Sequence, residues 1–192
     1  MADAIDLDLP PESIQREKSI GMWYEGSALR VRGHLRDRYT DPARAETVLH
    51  EYRLDLWVDR ESMIVDDVRI EPIHLPYGEC FQAPGNIDRL IGLKLRPGFT
   101  AEALERLQGE AGCTHMNSLI SDLSIASLFH GYITMRAYER EHKGIPVMPA
   151  DDHRTGICAG WRAGGALATW MESGRGIAPS PIYPTTMDRA DP

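Results

Sequence analysis

The sequence predicts an α+β fold, a curved antiparallel β-sheet packed on a long central helix. Two patterns carry that reading. Four strand-like stretches lie between Glu17 and Ile73, and the second and third alternate apolar and polar side chains strictly. Short links between consecutive strands favour an antiparallel meander. Further on, the run from Gly112 to about His142 carries two apolar stripes at helical spacing, as in a helix buried on two sides.

The elements follow in order. Residues 1–15 are acidic, carry Pro10-Pro11, and read as a flexible lead. A strand over Glu17–Tyr24 ends in the turn Glu25-Gly26-Ser27. The next strand, Ala28 to Tyr39, sends Leu29, Val31, Gly33 and Leu35 one way and Arg30, Arg32, His34 and Arg36 the other. The polar row is either a solvated face or, if covered, a surface suited to an anionic or phenolic ligand. Arg32 and His34 are therefore candidate binding residues.

The third strand, Thr47 to Val58, groups Val48, His50, Tyr52, Leu54, Leu56 and Val58 on one face. His50 and Tyr52 thus point inward, where each needs a hydrogen-bond partner. They are either satisfied core residues or a base and a phenol held in a pocket. A fourth strand spans about Met63 to Ile73. The irregular loop His74–Cys80 then brings Tyr77 and Cys80 off the sheet.

A short helix is expected over Gly85–Ile91, and Thr100 is the natural N-cap for a helix across Ala101–Gln108. The long helix opens with Gly112-Cys113-Thr114-His115. Gly112 offers a backbone shape that other residues resist, and Thr114 is the expected N-cap. Cys113 and His115 then sit beside the positive end of the helix dipole, which favours a thiolate and a neutral imidazole. Gly144 and Pro146 stop the helix, a strand is expected over 155–161, and a proline-rich tail follows. The organisation is a lead (1–15), one domain (16–172) and an extended tail (173–192).

The formal charge of −8 argues against nonspecific nucleic-acid binding, which needs clustered lysine and arginine. No apolar run approaches the roughly 20 residues that span a bilayer, and residues 1–6 lack a secretory signal pattern. Three widely spaced cysteines, Cys80, Cys113 and Cys158, make a disulfide framework a poor fit and suit the cytoplasm. No P-loop, nucleophile elbow or dinucleotide glycine fingerprint is present, so no nucleotide cofactor is indicated.

Three chemistries fit the reactive residues. Cys113 and His115, joined by His50, Cys80 or Cys158, could ligate zinc, although Cys-x-His is not the common knuckle. Cys113 could be a nucleophile, but His115 two positions away diverges from it on a helix. Cofactor-free acid–base work by His50, Tyr52 and His115 demands least of the spacing.

The segments Val31-Arg32-Gly33-His34-Leu35-Arg36-Asp37, Leu49-His50-Glu51, Leu90-Ile91-Gly92-Leu93, Pro97-Gly98-Phe99-Thr100 and Gly112-Cys113-Thr114-His115 resemble the bacterial domain of unknown function 2889. So does the closing Cys158-x-Gly160. The resemblance runs from about Met22 to Trp161. Members often read Leu-His-Asp where this chain has Leu49-His50-Glu51, and a histidine where it has Ala159. The second departure weakens a four-ligand metal site. The resemblance implies bacterial catabolism of aromatic compounds, including removal of a hydroxymethyl group as formaldehyde from lignin-derived dimers.

Taken together, the expectation is a cofactor-independent lyase acting on a small aromatic or carbonyl substrate. His50, His115 and Tyr52 are the candidate catalytic residues, and Arg32, His34, Cys113 and Tyr77 line the substrate. No metal, nucleic acid or membrane partner is expected, and the apolar helix argues for a homodimer. The alternatives are a non-catalytic binding or assembly subunit, and a zinc-dependent hydrolase using Cys113 and His115.

Overall fold

A computed structural model describes residues 7–141, then 159, 162–165 and 168–169. Strands β1 (Ser13–Glu25), β2 (Ala28–Thr40), β3 (Glu46–Asp59) and β4 (Val65–His74) form one sheet in the order β1-β2-β3-β4. Every neighbouring pair is antiparallel. With α-helices following this meander, and the helix Thr114–Asp122 packed on β2, the chain is α+β. Gly26-Ser27 closes the first hairpin, Gly26 taking the positive φ of 60° that such two-residue turns require.

Alternation decides which face is the core. Leu29, Val31 and Leu35 of β2 and Tyr52, Leu54, Leu56 and Val58 of β3 are fully buried on the inner face. The outer face is charged and paired: Arg32 to Asp55 at 2.7 Å, His34 to Glu51 at 2.9 Å, Arg38 to Glu17 and Glu46. Two register shifts lie between β3 and β4, and one interrupts the order between β2 and β3. Asp37 pairs with His50, but Arg38 pairs with Val48, so Leu49 is the extra residue of a β-bulge. The expected grouping of Val48 with His50 is thereby corrected: the bulge flips the phase, and Val48 falls opposite the outward Arg38.

Beyond the sheet, a 3₁₀ helix spans Gly78–Leu90, followed by α1 (Phe99–Arg106), a single 3₁₀ turn at Gly109–Ala111, α2 (Thr114–Asp122) and α3 (Ile125–Glu141). The short helix expected at 85–91 is the end of that longer 3₁₀ segment. The long helix expected from residue 112 is present but bent, as α2 and α3 with a break between Asp122 and Ile125. There Leu123 bonds back to Ile120 and Ala126 to Leu123, each only three residues away. Around the break, Ser121, Ser124 and Ser127 direct their hydroxyls onto carbonyls three or four residues earlier. Such bonds compete with the helix ladder and bend it.

Both cap assignments change too. Cys113, extended at φ −139°, is the N-cap of α2, without a side-chain capping bond, and Thr114 is already helical. Gly98 caps α1 at φ 100°, a conformation costly for other residues. The Thr100 hydroxyl instead donates to the Ser121 carbonyl at 3.1 Å and ties α1 to α2. α2 reaches the sheet over Gly33, where a Cβ would meet Leu119 Cδ1 at 3.0 Å. The fully buried Leu119 fills that space, a gain of about 2–3 kcal/mol.

Two compact units make up the chain, Met1–Phe129 and His130–Pro192. The first holds the sheet, the 3₁₀ segments, α1, α2 and the start of α3. In the second, the described part is the rest of α3 and a turn in which the Gly165 amide bonds the Arg162 carbonyl at 2.9 Å. The expected strand over 155–161 (Ala159 apart), Cys158 and the tail after 173 lie outside the described residues. Among the described residues no helix is long and apolar enough to cross a membrane.

Candidate functional site

The site forms where the bulged end of β2 and β3 meets the start of α2. Asp37, on the inner face of β2, is a nearly fully buried carboxylate. Its cross-strand neighbour on one side is Arg16 of β1, and on the other His50 of β3. Arg16 grips it bidentately, Nε to Oδ1 at 2.6 Å and Nη2 to Oδ2 at 2.7 Å. His115, in the first turn of α2, reaches down to the same oxygen, Nδ1 to Oδ2 at 3.0 Å.

The two imidazoles stack. Their ring centroids lie 3.5 Å apart at an interplanar angle of 17°. Both Nδ1 atoms are near Asp37 Oδ2, but they differ in what they achieve. His50 Nδ1, at 3.3 Å, is close enough for charge attraction and off line for a hydrogen bond; it is buried without a hydrogen-bond partner. His115 Nδ1 has two competing partners, because Arg16 Nη2 also lies 2.7 Å from it. A guanidinium only donates and a carboxylate only accepts, so the two contacts demand opposite protonation of that nitrogen.

Electrostatics follow from this packing. Burial alone would raise the Asp37 carboxyl, but the hydrogen bonds and charge of Arg16, helped by His115, outweigh it and hold it below the usual range. Arg16 is held higher still by its bond to Asp37. His50 is pushed below the ordinary histidine value, first by burial and then by His115, with Asp37 opposing. Tyr52 is pushed far above the ordinary phenol, first by burial and then by its contact with Cys113 Sγ, 3.6 Å from its hydroxyl.

A pocket of about 650 Å³ opens beside the pair, walled by His50, His115, Cys113, Leu49, Tyr77 and Cys80, with Glu79 and Glu110 also on its wall. The structure thus brings together His50, His115, Cys113 and Tyr77. Tyr52 lies just behind, fully buried, holding Cys113 from below. Arg32 and His34 are on the opposite face of the sheet, occupied with Asp55 and Glu51. Among the described residues, Asp37, His50 and His115 are the set whose ligand atoms, all within 4.8 Å of one another, could share a metal ion. Cys113 is not in that set.

A family model described as "Protein of unknown function (DUF2889)" matches residues 15–128. The chain belongs to this family. The DUF2889 match contains Arg16, Asp37, His50 and His115, and it ends one residue short of the boundary of the first compact unit. No curated protein and no solved structure matches the chain.

Two members of the cluster were not among the residues singled out from the sequence. Asp37 continues the row Leu29, Val31, Gly33, Leu35, so alternation alone turns a carboxylate inward; that signal is present in the sequence. Arg16 carries no comparable signal. It sits at the margin of an acidic lead, and only the pairing of β1 with β2 sets it beside Asp37.

Proposed function

We propose that this DUF2889 chain is a small-molecule lyase whose reaction centre is the His50–His115 pair over Asp37. The observation that carries the reading is the meeting of two imidazoles, one from a strand and one from a helix start, on a shared buried carboxylate at a pocket wall. At His50, where no guanidinium contacts Nδ1, the carboxylate facing that nitrogen favours the tautomer with the proton there. That leaves Nε2, on the far side of the ring, as a free acceptor, which is the arrangement of an oriented general base.

The family resemblance supplies the candidate reaction, loss of a hydroxymethyl arm as formaldehyde from a phenolic dimer. The benzylic C–O bond of the substrate first breaks as the phenol gives up its proton; the departing oxygen takes that proton and leaves as a hydroxyl group or water, and a quinone methide remains. An imidazole then takes the hydroxyl proton of the arm. The carbon–carbon bond breaks, formaldehyde leaves, and the bonding pair forms a new double bond while restoring the phenolate. The proton returns from imidazolium to phenolate, so the step needs no redox partner. Cys113 and Tyr77 supply pocket wall, and Tyr52 positions Cys113.

The test is a formaldehyde assay of the full chain with phenolic dimers that carry a hydroxymethyl arm. His50→Gln and His115→Gln should each reduce turnover by about 10²-fold or more, with melting temperatures close to the parent's. Full turnover in both variants removes the reading. Bound dimer without any formaldehyde would leave a binding protein in its place.

A further inference from the structure

We propose that Asp37, His50 and His115 also form a site for one divalent transition-metal ion of the zinc and cobalt class, taken up by displacing the Arg16 guanidinium. Two imidazole nitrogens and a carboxylate oxygen are a common donor set for such ions. The spacing fits. Oδ2 of Asp37 lies 3.0 Å from Nδ1 of His115 and 3.3 Å from Nδ1 of His50. Ligands about 2.1 Å from one ion, at octahedral or tetrahedral angles, stand about 3.0–3.4 Å apart.

A second, independent observation points to a missing partner. His50 Nδ1 is buried with no hydrogen bond, although it faces the carboxylate. A metal lone-pair bond would satisfy it. The ligands stand on β2, β3 and the start of α2, so packed elements hold all three. The pocket walled by both imidazoles adjoins the cluster without reaching Asp37 or Arg16, so the ion enters on the side that the 35%-exposed Arg16 vacates.

Arg16 is the competitor. Its Nη2 lies 2.7 Å from Asp37 Oδ2 and 2.7 Å from His115 Nδ1, so a cation already stands beside two of the three ligand atoms. Its side chain is 35% exposed, and Nη1 already reaches Ser118 Oγ at 3.3 Å, so it has somewhere to go. Exchanging one cation for another keeps the Asp37 charge balanced. The rings must also move: stacked at 17°, their lone pairs run side by side instead of converging. His115, 31% exposed at its side chain, has room to turn.

This site uses the residues of the proposed lyase but does not rest on that reading, and it is tested by binding alone. The chelator-treated full chain is titrated with Zn²⁺ by calorimetry and with Co²⁺ by visible absorption. One ion per chain is expected, weakened at least about tenfold by His50→Gln, His115→Gln and Asp37→Asn. Arg16→Gln should bind more tightly than the parent, because it removes the competitor. The Co²⁺ spectrum should show nitrogen and oxygen ligation without the near-ultraviolet thiolate band that Cys80 or Cys113 would produce.

Absence of stoichiometric binding overturns the site. So does affinity unchanged in His50→Gln, or a thiolate band. If Asp37→Asn fails to fold, the two histidine variants decide alone. Formaldehyde release is measured separately, so failure of the lyase and failure of the metal site are told apart.

Discussion

Tyr52 shows how one side chain can be chemically interesting and yet serve by position. It is fully buried, and its hydroxyl has Cys113 Sγ at 3.6 Å. Burial first, and that contact second, push its phenol far above the ordinary value. The sign is therefore definite. The folded state gains from a neutral phenol below about pH 10, the unfolded value, and loses that contribution as pH rises through the higher folded value. Tyr52→Phe removes the linkage, so its melting temperature should fall less steeply than the parent's between about pH 10 and pH 12. Melting curves across that range check this; parallel curves would count against it. Asp37 is the opposite case, a buried carboxylate kept charged by Arg16. Arg16→Gln should cost on the order of 2–3 kcal/mol, below the ~3–5 of a fully enclosed pair because the guanidinium is 35% exposed.

The elements show where backbone approach, more than side-chain chemistry, sets the site. Gly112 was expected to supply an unusual dihedral. Its φ of −137° is ordinary extended backbone. What only glycine satisfies is space: a Cβ there would fall 2.0 Å from the Leu107 carbonyl oxygen and 3.0 Å from the Asn117 amide. That amide donates to the same carbonyl at 2.9 Å and fastens the start of α2 to the end of α1. Gly112→Ala must push α2 away. It should cost about 1–3 kcal/mol, or more, by overpacking, and, if the proposed lyase reading holds, it should depress formaldehyde release by moving His115 off Asp37. Denaturant melts and the formaldehyde assay test both, and an unperturbed variant would contradict the packing.

For the whole molecule, the first compact unit contains every residue of the candidate site. What that unit leaves uncovered bears on assembly. Ile125, Leu128 and Phe129 of α3 are 39–50% exposed. A homodimer was expected from the apolar helix, and sedimentation decides it. If a second copy covers this face, Leu128→Glu converts a dimer to a monomer; a monomeric parent retires the expectation.

The sequence by itself determined the four strands, their antiparallel order and the inward facing of His50 and Tyr52. These follow from a period of two and short links, which are local properties. It also placed Cys113 and His115 at a helix start. Alternation likewise implied an inward Asp37, although that signal is legible only if the row is followed one step past Leu35. The break in the long helix came from serine hydroxyls taking carbonyls that an apolar stripe does not reveal. Whether the two imidazoles meet was beyond any local pattern. That depended on a β-bulge at Leu49, on Arg16 arriving from another strand, and on α2 settling over Gly33. Each is a contact between residues far apart in the chain, and such contacts are decided by tertiary packing.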